Sequence, residues 1–117
     1  MFSKVLGFEI ISENYRLATI SAATSSAATN SYKLDLRVNP FLQIELFWFD
    51  GAPKRPSYPE AQGLRHLAFA VHDLAEVINH LNTHDIVCEP IRIDPFTGKQ
   101  FTFFSDPDDL PLELYQI

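Results

Sequence analysis

The chain has 117 residues, enough for one domain of ordinary size, and carries 15 acidic against 9 basic side chains, a formal charge of -6. Its 46% hydrophobic and 13% aromatic content excludes a wholly disordered protein. The acidic balance argues against nucleic acid or an anionic membrane as the main partner, because both require a basic surface. With one cysteine, no signal peptide and no apolar run of about 20 residues, we expect a soluble cytoplasmic protein.

The first half of the chain is predicted to be mostly strand. A first strand covers residues 8–11 and reaches residue 16 in its longer form. Residues 18–31 are almost wholly Ala, Ser and Thr, which predicts a loop, with a short Ala-rich helix as the alternative. Residues 32–38 alternate apolar and charged side chains, and residues 42–49 are strongly apolar. Both of these segments are typical of strands.

The second half follows residues 51–62, where three prolines predict a linker. A strand is predicted at residues 64–71, and a helix then begins at Asp73, which can cap it with the help of Glu76. Four apolar residues at helical spacing give this helix one buried face: Leu74, Val77, Ile78 and Leu81. Three further strands are predicted, at residues 86–93, 100–104 and 112–117.

The two halves read as copies of one βαβββ module. Residues 44–46 and 112–114, Ile-Glu-Leu and Leu-Glu-Leu, align on the last strand of each copy. The C-terminal copy, residues 63–117, is complete. The N-terminal copy, residues 1–50, lacks its opening strand and most of its helix and carries an insertion at residues 18–31. We therefore predict one α+β domain of two modules, the first of them incomplete.

Three ionisable residues interrupt the apolar strands: Glu45, His66 and Glu113. Because side chains alternate along a strand, each of them points away from its apolar neighbours. Two carboxylates and an imidazole suit a divalent cation such as Zn²⁺, Ni²⁺, Co²⁺ or Mn²⁺. The alternative is structural, with each Glu at the rim of a sheet and the His as a packed side chain. The equivalent positions of the two glutamates favour a common site.

Six motifs follow one another along the chain: LGFEII at 6–11, IELF at 44–47, GLRHLAF at 63–69, DPFTGKQFTFF at 94–104, DPD at 106–108 and LELY at 112–115. In this order they resemble the glyoxalase/bleomycin resistance/dioxygenase group, or vicinal oxygen chelate superfamily, and most closely its small bacterial glyoxalase-I-like (lactoylglutathione lyase-like) proteins. Together the motifs cover most of the chain outside residues 18–30. One departure is Asp109, where the family turn usually continues with Gly.

The resemblance implies paired modules whose mixed sheet forms a cup around one divalent metal ion, with four ligands from the first and last strands of each module. Carried over by position, Glu45, His66 and Glu113 are three of these ligands, and Glu113 is the catalytic base. The fourth ligand has no counterpart, because its strand is missing. The cofactor implied is a zinc, nickel, cobalt or manganese ion, and the missing strand leaves open that none is bound.

Three functional interpretations remain open at this level. The first is a metal-dependent lyase or isomerase acting on a small oxo-compound or its thiol adduct. The second is a non-catalytic small-molecule-binding protein of the resistance type, and the third is an inactive truncated remnant. An incomplete first module exposes a sheet edge, which invites another chain. We therefore expect a homodimer that binds a small molecule, and neither nucleic acid nor membrane.

Overall fold

The computed structural model describes residues 1–16 and 30–117, which divide into two compact units, residues 1–53 and residues 54–117. Across these described residues there are seven strands and one α-helix, which confirms the α+β class. None of the described residues belongs to a helix that is long and apolar enough to cross a membrane.

Unit 1 contains an antiparallel sheet in the order β1-β2-β3. Its strands are β1 (Glu9–Arg16), β2 (Ser31–Asn39) and β3 (Leu42–Phe49). The strand predicted at residues 42–49 is confirmed with the same ends. The predicted loop at 18–31 is wrong at Ser31, because pairing with Phe49 extends β2 to this residue. Residues 18–29 of that tract lie outside the described residues.

A short turn precedes β1. The backbone N–H of Val5 donates to the carbonyl of Met1 at 2.9 Å. Gly7 then takes a left-handed conformation with φ of 73°, which glycine adopts without steric cost. Phe2 is buried and its ring stacks on Phe8, with centroids 6.1 Å apart. This contact fixes the direction in which the chain enters β1.

Unit 2 contains a mixed sheet in the order β4-β7-β6-β5. Its strands are β4 (Leu67–Val71), β5 (Arg92–Ile93), β6 (Gln100–Ser105) and β7 (Pro111–Gln116). The β4–β7 pair is parallel, and the other two pairs are antiparallel. Because side chains alternate along each strand, one face supplies the core of this unit. The buried sheet residues on this face are Thr102, Phe104, Leu112 and Leu114.

The helix of unit 2, α1 (Leu74–Thr83), packs against that core face, and its N–H at Leu74 donates to Gln116 Oε1 at 3.1 Å. The predicted cap is confirmed, since Asp73 Oδ1 accepts from the backbone N–H of Glu76 at 2.9 Å. Two leucines on the predicted apolar face are fully buried: Leu74 and Leu81. The opposite sheet face is therefore left for the functional residues.

Two aspartates occupy left-handed backbone positions. Asp85, with φ of 59°, ends α1 in a Schellman motif, in which Ile86 N–H donates to the Leu81 carbonyl at 3.1 Å. Asp109, with φ of 65°, closes the turn that leads into β7. An aspartate thus takes the left-handed position in this turn where the family usually has glycine.

The strand predicted at residues 86–93 is wrong over most of its length, since only Arg92–Ile93 pairs as a strand. Pro90 has no N–H to give to a ladder. Before it, the Glu89 N–H donates to the Phe103 carbonyl at 2.8 Å, and the Glu89 carbonyl accepts from Thr102 Oγ1 at 2.7 Å. Glu89 is thus bound to β6 by the Thr102 side chain as well as by backbone, and the regular ladder does not extend to it.

The strand predicted at residues 64–71 begins only at Leu67. The guanidinium of Arg55 binds the carbonyls ahead of the strand, with Nη2 at 2.6 Å from Leu64 O and 3.2 Å from Arg65 O. His66 therefore lies immediately before β4 rather than within the strand, which corrects its predicted placement.

Candidate functional site

The predicted residues His66 and Glu113 are in direct contact in unit 2. His66 Nε2 lies 3.0 Å from Glu113 Oε2, so the imidazole N–H donates to the carboxylate. The Glu113 side chain is 14% exposed and that of His66 is 40% exposed. The carboxylate is thus held within the sheet surface, and the imidazole stays accessible from solvent.

The strand register explains this contact. Glu113 on β7 lies opposite Ala68 on the parallel strand β4, and His66 comes two residues before Ala68. Residues two apart share a face, so the imidazole reaches the carboxylate diagonally across the small Ala68 side chain. The neighbours of Glu113 along β7, Leu112 and Leu114, point to the core. The sequence pattern therefore gave the correct face for both residues.

An aromatic ring supports the pair from β6. Phe103 lies opposite Glu113 in the β6–β7 register. The ring of His66 meets the Phe103 ring edge-on, with centroids 5.2 Å apart and planes at 85°. The guanidinium of Arg92 lies 5.6 Å from the centroid of the same ring and also pairs with Glu89. Phe103 thus places an aromatic wall and a cation beside the His66–Glu113 pair.

A hydrogen-bonded chain anchors the β5–β6 turn near this pair. Tyr115, two residues after Glu113 on β7, donates its hydroxyl proton to Asp94 Oδ2 at 2.8 Å and contacts Thr97 Oγ1. The Thr97 contact acts to lower the pKa of Tyr115, but burial and the negative charges of Asp94 and Glu113 outweigh it and raise this pKa. The hydroxyl is consequently held as a neutral donor.

The third predicted residue, Glu45, lies in unit 1 and contacts a lysine. Lys33 Nζ is 2.7 Å from Glu45 Oε1 and 3.0 Å from Asp35 Oδ1, and Ser12 Oγ donates to Asp35 Oδ2 at 2.6 Å. Hydrogen bonds to Glu45 and then Asp35 raise the pKa of Lys33, while those from Ser12 and then Lys33 lower the pKa of Asp35. The Glu45 carboxylate therefore already has a cation, supplied by its own sheet.

The His66–Glu113 pair fits two ligand positions of a divalent ion. Imidazole nitrogen and carboxylate oxygen are borderline donors suited to Zn²⁺, Ni²⁺, Co²⁺ and Mn²⁺. The two donor atoms lie 3.0 Å apart on one sheet face, so both could turn to the same ion. Within residues 1–16 and 30–117, neither unit by itself gathers three or more His, Cys, Asp or Glu side chains able to hold a metal.

Comparison with known proteins agrees with this architecture. The family model described as "Glyoxalase/Bleomycin resistance protein/Dioxygenase superfamily" matches residues 1–114. The chain belongs to this superfamily. The match includes Glu45, His66 and Glu113, so the family resemblance that was expected from the motifs is confirmed over nearly the whole chain.

Relatives of this superfamily member include two bacterial proteins of close sequence. The uncharacterized protein YaeR of Escherichia coli is 50% identical over 115 residues, which cover 98% of this chain and 81% of YaeR. The uncharacterized protein YwkD of Bacillus subtilis is 51% identical over 111 residues, which cover 95% of this chain and 79% of YwkD. A glyoxalase family protein from Enterococcus faecalis has a similar crystal structure, with a TM-score of 0.84 and 48% identity, covering 99% of this chain and 83% of that one.

Some residues around the site were missed at the sequence level. The alternation of residues 32–38 places Lys33 and Asp35 on one face, and pairing with β3 would have put Lys33 next to Glu45. Phe103 was missed because one of three phenylalanines within four residues of a strand is typical of core. Arg92 was missed because the segment around it was taken for a longer regular strand.

Proposed function

We propose that this protein is a glyoxalase-like, metal-dependent lyase or isomerase that acts on a small oxo-compound or its thiol adduct. The observation that carries the proposal is the 3.0 Å contact of His66 Nε2 with Glu113 Oε2, on the sheet face opposite the helix. We infer that the protein acts in the cytoplasm, since a chain with one cysteine suits a reducing compartment.

In this proposal His66 and Glu113 hold the divalent ion, which can be zinc, nickel, cobalt or manganese. When bound, such an ion acts as a Lewis acid on neighbouring oxygens of a substrate. Glu45 is the proposed third protein ligand, and its carboxylate would have to leave Lys33 to serve. Loading the site also requires the ring proton of His66 to lie on Nδ1, so that the Nε2 lone pair can face the ion instead of Glu113.

Glu113 is the proposed catalytic base. It takes the proton from the C–H bond beside the substrate carbonyl and returns it to the former carbonyl carbon, while the hydroxyl proton passes to the neighbouring oxygen, so the isomerisation balances without an oxidant or a reductant. Its carboxylate is only 14% exposed, which limits competing exchange with bulk water. The Phe103 ring on the facing strand offers an apolar surface to a substrate group beside the reacting carbon.

A second candidate function is binding without catalysis. The site face of unit 2 carries a row of aromatic contacts, with the Phe101 ring 6.1 Å from Phe103 and stacked 6.3 Å from Tyr115. Such a row suits a planar or apolar ligand, as in a resistance-type protein that sequesters a small molecule. It needs no proton transfer by Glu113.

One experiment separates these functions. Purified parent, Glu113→Gln and His66→Ala proteins are loaded with Ni²⁺, Zn²⁺, Co²⁺ or Mn²⁺ and assayed for thioester formation from the thiol adduct of a 2-oxoaldehyde. We expect metal-dependent turnover in the parent and a loss of about 10²–10⁴-fold in Glu113→Gln. Glu76→Gln, on the exposed side of α1, serves as control. Equal metal content and equal turnover in parent and both site variants would contradict the assignment, and ligand binding without turnover would favour the second function.

We further propose that the protein is a homodimer. In the order β1-β2-β3, β3 pairs with β2 on one side, and no other strand among residues 1–16 and 30–53 pairs with its second side. An open strand edge offers unpaired N–H and C=O groups to another chain. Sedimentation should therefore give a dimer, and a monomer over a wide concentration range would contradict the proposal.

A further inference from the structure

A pair of histidines lies on the helix of unit 2, away from His66 and Glu113. His80 is in the last turn of α1 and His84 is its C-cap residue. Their rings are in contact, with centroids 4.9 Å apart and planes at 64°. Residues four apart are neighbours on one face of a helix, so the two imidazoles are positioned together by the backbone.

This pair faces solvent. His80 and His84 are both exposed, whereas Leu81 between them is fully buried against the sheet. A packing role in the core is thereby excluded for both imidazoles. The helix covers the core face of the sheet, so the pair and the His66–Glu113 contact lie on opposite sides of the same sheet.

Three features of the surroundings favour a cation. The pair sits at the C-terminal end of α1, where the helix dipole attracts positive charge. The exposed Asp85 carboxylate follows directly and adds a negative charge. The spacing of the two histidines is that of the helical motif in which two imidazoles one turn apart bind zinc. That motif has a glutamate base right after its first histidine, but here Leu81 takes this place, so the chemistry is binding and not hydrolysis.

We propose that His80 and His84 form a second, surface site for a divalent transition-metal ion, namely Cu²⁺, Ni²⁺ or Zn²⁺. These are the borderline ions that imidazole nitrogen prefers. Two protein ligands leave the remaining positions to water, so the site is an exchangeable one. An ion held here joins the last turn of α1 to its C-cap and stabilises the folded helix by mass action.

The test is a calorimetric titration with Ni²⁺ alone, performed in a His66→Gln/Glu113→Gln background so that the proposed catalytic pair does not contribute. We expect this background to bind one Ni²⁺ per chain. Adding His80→Gln or His84→Gln should each weaken binding by at least tenfold. Adding His72→Gln, an exposed histidine ahead of the helix, should leave it unchanged.

A relocation variant keeps the composition constant. The exchange Asn79→His with His80→Gln retains the number of histidines but moves one of them to a spacing of five residues, off the shared face. It should lose Ni²⁺ binding as fully as His80→Gln, and Ni²⁺ should raise the unfolding temperature of the background protein but not of this variant. Unchanged binding in the relocation variant and in both single variants would overturn the proposal. Because the catalytic pair is absent throughout, this result is independent of the proposed enzyme activity.

Discussion

Replacing Phe103 with Leu should weaken both the fold and the candidate site. The substitution keeps an apolar side chain on β6 but removes the ring that contacts two functional groups. The edge-on contact with His66, at 5.2 Å, is worth about 0.5–1.5 kcal/mol. The contact with the half-exposed Arg92 guanidinium, at 5.6 Å, is worth about 0.5–1 kcal/mol. Loss of these two contacts together lowers the free energy of unfolding by about 1–2.5 kcal/mol, and the lost ring contact with Phe101 adds to this fall.

Two double-mutant cycles measured by urea unfolding separate these contributions. The first combines Phe103→Leu with His66→Ala, and the second combines Phe103→Leu with Arg92→Gln. Each cycle reports the coupling energy of one contact, provided that the single variants make no new contacts. A coupling near zero in the His66 cycle would refute the view that the ring holds the imidazole.

The same variant tests the effect on metal binding. Because Phe103 orients His66 without being a ligand, its loss should weaken Ni²⁺ or Zn²⁺ affinity at the His66–Glu113 pair by about 10-fold. Phe101→Leu is the matched control, since Phe101 lies on the same strand and its ring contacts Phe103 and Tyr115. Equal losses in the two variants would show that the effect is general loosening of the sheet. Both measurements are made with His80→Gln present, so that the helix site does not contribute.

Two further predictions concern stability. Asp85→Gly should stabilise the protein by about 1 kcal/mol, because glycine adopts the left-handed conformation freely and a negative charge is removed from the helix C-terminus. Thermal unfolding at low and high salt measures the backbone effect and the charge effect. A lower melting temperature in the variant would contradict this prediction. Asp94→Asn should remove an acid-sensitive contribution. The Phe96 backbone N–H, and then Tyr115, hold the pKa of Asp94 below its usual 3.8, so the contribution is complete above that value and lost as pH falls through the folded pKa. The parent should accordingly exceed Asp94→Asn in urea midpoint by more at pH 6 than at pH 3.

Local sequence signals predicted the helix of unit 2 well. Asp73 and Glu76 mark its start, and the spacing of Leu74 and Leu81 identifies the face that is fully buried. These signals are local and act together, so no tertiary contact is needed to read them. The same holds for the alternation that puts Glu113 on the face opposite its leucine neighbours.

The errors have a different physical origin. The apolar pattern of residues 86–93 does not show whether their backbone groups will pair with a neighbouring strand. Only Arg92–Ile93 pairs in this way, after Pro90. The start of β4 depends on Arg55, which lies about ten residues earlier and takes the carbonyls of Leu64 and Arg65. The contact between Lys33 and Glu45 depends on strand register. Each of these outcomes is set by a contact between separate segments, which a linear pattern does not contain.

The position of β7 has a consequence for how this protein can change. Hydrogen bonds to β4 and β6 hold the strand on both sides, and Leu112 and Leu114 anchor it below. Its backbone amides should be among the slowest to exchange with heavy water, since they open only with the sheet. The backbone of Glu113 therefore belongs to the most firmly held part of unit 2. Its side chain lies on the sheet face that is turned away from the leucine core. Selection or design can vary the residue at 113 without altering the leucines that keep the sheet folded.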